Sequence, residues 1–308
     1  VDYRYKNIMI YNINSGYGKL ISENIEGQKS GKVFLVAKSG LAYRDMYAEL
    51  YGVDLDGTSR MFATIAGAVS AATVNSGDTV LVLPGHTETV SGAAGIALSK
   101  AGINIAGLGS GRVRPVVTFS TAITAQITVA GANQKISNMV FDLSGFSAVT
   151  ACFSVTATDV WFDNCEFVIS TGTNAPVLGI LTAATAARFK VTGCRFVGPA
   201  LSTDTVTACI KHEVGIDYEI SNNYFTGKMT QAILNATTIL GGLIDSNRFV
   251  IATGTKAISV AAASTPFIAN NRINVPSGTA PIIAAAGFVA GNVYSAAAGV
   301  TAGTASTI

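Results

Sequence analysis

Three segments, Ile220-Ser-Asn-Asn-Tyr-Phe225, Ile244-Asp-Ser-Asn-Arg-Phe249 and Ile268-Ala-Asn-Asn-Arg-Ile273, decide the fold. Each reads apolar, any, small or Asn, then Asn, any, and a large apolar residue. The same six-residue pattern, with Met or Cys also allowed at its fourth position, occurs at Ile136-Ser-Asn-Met-Val-Phe141, Phe162-Asp-Asn-Cys-Glu-Phe167 and Val191-Thr-Gly-Cys-Arg-Phe196, and again at Val289-Ala-Gly-Asn-Val-Tyr294. A weaker copy starts at Ile105, and successive starts lie 31, 26, 29, 29, 24, 24 and 21 residues apart. Self-similarity at such a period marks a repeat architecture.

A second column keeps step with the first. Apolar strands near Ala151, Ala208, Ala232, Ala257 and Pro281 each precede a motif start by 8 to 12 residues. Propellers and helical arrays tolerate less drift in repeat length. A parallel β-helix absorbs it, because extra residues bulge out between fixed strands. The sequence therefore predicts an all-β fold, a single-stranded right-handed parallel β-helix of about nine coils and roughly 40–45 Å. Strand stacking places Phe141, Phe167, Phe196, Phe225, Phe249, Ile273 and Tyr294 in one inward column. Met139, Cys165, Cys194, Asn223, Asn247, Asn271 and Asn292 form another at the strand-to-turn corner. Four successive Asn in register can bond to one another along the axis, whereas a lone buried Asn costs about 1–3 kcal/mol.

Outside this body the chain divides by charge. Residues 1–60 hold 15 of the 38 charged residues, and none follows Arg272. The organisation read from this is an N-terminal arm (1–32), a lead-in segment with a capping helix (33–76), the β-helix (77–294) and an uncharged tail (295–308). The cap is expected over Thr58 to Asn75, with Thr58 or Ser59 as N-cap, Gly77 beyond its end, and Phe62, Ile65, Ala66 and Val69 on one face. Thr79 to Leu83 is expected to be the first strand.

Composition narrows the function classes. Charged residues are 12% of the chain, about half the usual share, yet no stretch of about 20 strongly apolar residues suits a membrane span. The first twenty residues carry no apolar core of a secretory signal. A net charge of +2 is too near neutral to argue for a nucleic-acid partner or an anionic membrane, and neither is expected. Cys152, Cys165, Cys194 and Cys209 have no metal-ligand spacing and read as buried free thiols, suited to synthesis in a reducing cytoplasm. No metal or cofactor motif is found. Gly107-Leu-Gly-Ser-Gly111 follows a strand but opens no helix pattern, so it reads as a turn and not as a phosphate cradle.

The runs Gly31-Lys-Val-Phe-Leu-Val36, Asp56-Gly-Thr-Ser59, Phe62-Ala-Thr-Ile65, Gly77-Asp-Thr-Val80 and Leu83-Pro-Gly-His86, with the Gly107 to Arg112 turn, resemble the opening of pectin-lyase-like β-helix proteins. The resemblance covers roughly residues 31 to 294 and extends to the non-enzymatic β-helix proteins of tailed-bacteriophage virions. It implies a structural virion protein made in the host cytoplasm and placed on the particle surface: a capsid (head) decoration protein, partnered by the major capsid protein or another virion protein. A homo-oligomer, a trimer by preference, is expected. The alternative is a tailspike-like receptor-binding or polysaccharide-degrading protein.

Enzymes of this fold class cleave acidic polysaccharides. Val160-Trp-Phe-Asp-Asn164 resembles the pectate-lyase strand that ends in Asp-His, but Asn164 stands in place of the His. Arg112-Val-Arg114-Pro115 is not followed by the second Arg of the lyase motif. Glycoside hydrolysis needs two carboxyls about 5–9.5 Å apart. Asp163 and Glu166 point outward with Asp159 near them, but Arg195 falls on the column of Glu166, so an inter-coil ion pair is expected there. Tyr224, Arg248 and Arg272 continue that column as a basic strip compatible with a glycan. His86 and His212 lack Ser and Asp partners for a triad. No catalytic residue is assigned.

Overall fold

The structure, a computed structural model, describes residues 31–295 apart from 42, 52, 54–58, 93–94, 121, 146–147, 170–174, 200–205, 214, 254–255, 262–263, 277–280 and 285–286. The arm (1–30 of it) and nearly all of the tail lie outside the described residues. The rest is the predicted right-handed parallel β-helix. Each coil contributes one strand to each of three columns, and every pairing between coils is parallel. The first column runs from Met61–Phe62, through Val33–Val36, to Phe288–Ala290, the second from Thr87–Val90 to Val293–Ser295, the third from Ile96–Leu98 to Ile282–Ala284. The second and third are fused by one unbroken strand, Tyr224–Asn235, which leaves eight full coils and two strands of a ninth.

The hexapeptide builds the corner between the first and second columns. Its third residue takes a left-handed backbone in all seven full copies: Asn138, Asn164, Gly193, Asn222, Ser246, Asn270 and Gly291 have φ between 50° and 63°. Asn and Gly are the residues that enter this region at least cost, which is why the position reads small or Asn. The fourth residue points back inside and the sixth starts the next inward row. Phe141, Phe167, Phe196, Phe225 and Phe249 stack with centroids 4.5–5.2 Å apart. Register, not ring preference, imposes the parallel stacking, and burying each ring contributes about 1.5–3 kcal/mol. The four cysteines are buried and free.

The N-terminal end differs from expectation in three ways. Stacking begins one strand early, because Val33–Val36 pairs in register with Thr79–Val82. On its other side Leu35 and Val36 pair with Met61–Phe62, so Phe62 belongs to a strand and not to the cap. The capping helix, α2 (Ile65–Ala71), follows a helix α1 (Arg44–Tyr51) that the sequence reading missed. The N-cap of α2 is Thr64, whose side chain accepts from Gly67 N; Ser59 lies instead in a short bridge with Val53, and Thr58 falls outside the described residues. Ile65, Ala68 and Val69 form the buried face, and Ala66 is only half-buried. Strand pairing of Met61 and Phe62 wins because it covers the edge of the first column, which a helix starting at Ser59 would leave open.

Candidate functional surface

Outward side chains repeat once per coil, so a site on the strand faces is a column. The Asp159/Asp163/Glu166 group sits where the sequence put it, and every member is held by a cation from an adjoining coil. Glu166 bonds Arg195, its register partner, and also Arg114. Asp163 lies 2.8 Å from Lys135 Nζ and accepts from Thr192 Oγ1 at 3.0 Å. Asp159 receives two bonds from Arg188, at 2.5 and 2.6 Å, and these hold its carboxyl below the ordinary carboxylate range. Glu219 pairs with Lys190 at 3.0 Å in the same manner. Lys135 and Arg188 were not singled out from sequence, and Arg114 was read only against the lyase motif. The signal was present for the first two: Lys135 precedes Trp161 by one coil and stacks on it at 3.8 Å, and Arg188 follows Asp159 by one repeat of 29 residues.

Downstream the balance changes. Tyr224, Arg248 and Arg272 occupy successive coils of one register, followed by Val293. The Arg248 guanidinium lies over the Tyr224 ring at 5.2 Å. Both arginines are exposed, and among the described residues no carboxylate pairs with either. They border a shallow groove of about 200 Å³ whose other walls include Val250, Asn274 and Val293.

The two histidines are buried, and neither faces this surface. His86 Nε2 lies 3.2 Å from Glu88 Oε2, which also accepts from Ile65 N at 2.8 Å. That arrangement ties α2 to the first coil. His212 points into the core, with Nδ1 bonded to Thr182 Oγ1 in the preceding coil and Asn235 at the equivalent place in the next. Burial holds its pKa down at about 4. Burial also pushes the Cys209 thiol up to about 12 and those of Cys152 and Cys194 well above the ordinary thiol range, so these are poor nucleophiles at neutral pH. Among the described residues no group of three His, Cys, Asp or Glu is placed to hold a metal ion. No helix among them is long and apolar enough to cross a membrane. The Gly107 turn leads into a single 3-10 turn, Gly111–Val113, which is followed by the strand Val116–Ser120.

Three columns, parallel register and the corner turns define the class: a right-handed parallel β-helix. No protein-family model matches the chain, and no curated protein matches it either. Two solved structures are similar. An alginate lyase from Paenibacillus sp. str. FPU-7 is 14% identical, with 75% of this chain and 92% of that one covered and a TM-score of 0.45. Pectate lyase Pel9A is 12% identical, with 86% and 79% covered and a TM-score of 0.48. Likeness at this distance says nothing about activity, and the fold assignment rests on strand register alone.

Proposed function

We propose that the chain is a non-catalytic structural protein of a tailed-bacteriophage particle, a head decoration protein that binds the major capsid protein lattice. The observation that carries the non-catalytic half is the commitment of Asp159, Asp163, Glu166 and Glu219 to cations of adjoining coils. A general acid near neutral pH needs a carboxyl whose pKa is raised, and Asp159 and Glu219 are held in the opposite direction by Arg188 and Lys190. The virion half is supported by the sequence resemblance and by the uneven charge, with a polar, aromatic-rich arm ahead of a low-charge body. Counting copies in purified particles by quantitative mass spectrometry tests it. Hundreds of copies per particle agree with decoration, and tens or fewer favour a tailspike.

The tailspike-like reading, glycan binding or degradation, keeps one observation in its favour, the uncompensated strip of Tyr224, Arg248 and Arg272. Release of oligosaccharide from the host's surface glycan by the purified protein would replace the structural reading with this one.

A further inference from the structure

The outer column of the second sheet solves the same electrostatic problem in two ways. In the upstream coils, Glu166 sits between two guanidiniums, Arg114 and Arg195, and bonds to both. Its own side chain is largely shielded, at 17% exposure. Three coils further on, Arg248 and Arg272 are direct register partners. Parallel strands stand about 4.8 Å apart, and like charges directly opposite on a sheet destabilise it. Among the described residues no acidic side chain pairs with either, and Arg248 lies over the Tyr224 ring. The two guanidiniums flank a concavity of about 200 Å³, with the amide-bearing Asn274 and the apolar Val250 and Val293 also on its lining.

We propose that Arg248 and Arg272 form an oxyanion-binding site, in which a ligand's carboxylate or phosphate takes the place that Glu166 fills upstream. Guanidinium forks match either group bidentately, and a bound anion would relieve the like-charge pair. Asn274 supplies a further polar contact, and Val250 and Val293 an apolar edge, so the site fits a small acid-bearing unit. Carboxylates and phosphates share this chemistry, and the experiment separates them. The site is independent of whether the protein decorates a capsid, since binding is read on the isolated chain.

The test is titration of the full chain with inorganic phosphate and, separately, with glucuronate, followed by backbone amide shifts and calorimetry. Saturable binding of at least one anion is expected, with shifts centred on residues 248, 250, 272 and 274. Arg272→Gln should weaken it roughly tenfold, and the Arg248→Gln/Arg272→Gln protein should lose it. Arg195→Gln serves as the control, because Arg195 is already paired with Glu166 and should leave affinity unchanged. Circular dichroism checks that each variant is folded. Preference for phosphate or for glucuronate assigns the source of the oxyanion. The proposal is overturned if neither anion binds the wild-type chain at about 10 mM, or if the double variant binds as the wild type does.

Discussion

Asn247 donates its side-chain amide to Asn271 Oδ1 at 3.0 Å, and the same oxygen accepts the backbone N–H of Asn247 at 2.9 Å. The unit repeats. Asn223 stands to Asn247, and Asn271 to Asn292, in the same way, while each amide also donates to a first-column carbonyl, Val191, Ile220, Ile244 or Ile268. The ladder therefore satisfies the buried corner backbone of one coil with the side chain of the next. Asn247→Leu removes the acceptor of Asn223 N and the donor to Ile220 O in one step. At about 1–3 kcal/mol per orphaned buried group, the expected loss is about 2–5 kcal/mol, or roughly 5–15 °C in melting temperature. A melting temperature within a degree of wild type would refute the structural role of the ladder.

Asp78 locks the other end. Its fully buried carboxylate accepts Lys32 N through one oxygen and Thr73 N through the other, both at 2.7 Å. One side chain thereby joins the first strand's approach to the loop that leaves α2. Asp78→Ala strands two buried N–H groups and should cost about 2–4 kcal/mol, with Asp78→Asn losing less because one acceptor survives. Hydrogen exchange should localise the damage to residues 31–36 and 61–76. Uniform destabilisation along the whole rod would contradict this assignment, since coils of a solenoid contact only their neighbours.

His212 gives the fold a pH dependence. With burial holding the folded-state pKa at about 4 against the ordinary 6.5, the unfolded chain takes up the proton first. Its contribution is complete above pH 6.5, declines as pH falls below that value, and is lost by about pH 4. The span corresponds to about 3 kcal/mol. The groups facing the ring are Thr182, Asn235 and Tyr218, together with Phe189, and none is an acid that could compensate the charge. Unfolding by denaturant at pH 7, 6, 5 and 4 should show this loss in the wild type and not in His212→Leu. Parallel curves for the two proteins would show that His212 is not the group responsible.

The corner was legible because one hexapeptide fixes three things at once: the left-handed turn residue, the ladder position and the inward ring. The ion pair of Glu166 with Arg195 followed from register alone, as did the strip of Tyr224, Arg248 and Arg272. The third column was legible as the apolar strands near Ala151, Ala208, Ala232, Ala257 and Pro281, but not residue by residue. Its interior row of Thr182, His212 and Asn235 carries no shared residue type, and the segments leading into it vary in length, so its register could not be counted from the hexapeptide. At the N-terminal end the periodic apolar residues from Phe62 to Val69 read as one helix, but pairing of Met61 and Phe62 with Leu35 and Val36 cut it short. That pairing joins residues some 26 positions apart, across α1, which no local pattern discloses.

The surface predicts an absence of lyase activity. Asn164, which stands where the resembling lyase strand has His, has a left-handed backbone and donates its amide to Asn138 Oδ1 at 3.4 Å, so it serves the turn. Asp163 beside it is engaged by Lys135 and Thr192. Incubation with polygalacturonate and alginate, with and without Ca²⁺, should release no unsaturated oligosaccharide. Release that disappears in Asp163→Asn would establish a catalytic carboxylate there.

Particle binding, if the decoration proposal holds, should reside in the arm. Residues 1–30 lie outside the described residues, and their sequence carries Tyr3, Tyr5, Ile8, Met9, Ile10, Tyr11 and Tyr17 beside Arg4 and Lys6. These aromatic and Arg residues are the types that dominate interface energetics. The inward rows of the β-helix are already filled by the repeats, and stacking starts at Val33. Deletion of residues 1–28 leaves Lys32 and its bond to Asp78 in place, so the body should stay folded, with an unchanged melting profile. Co-sedimentation with particles that lack the protein should then fall at least tenfold, which corresponds to about 1.4 kcal/mol or more of interface energy. Full occupancy by the shortened chain would move the contact to the body, and a lowered melting temperature would mean that the arm packs on its own β-helix instead.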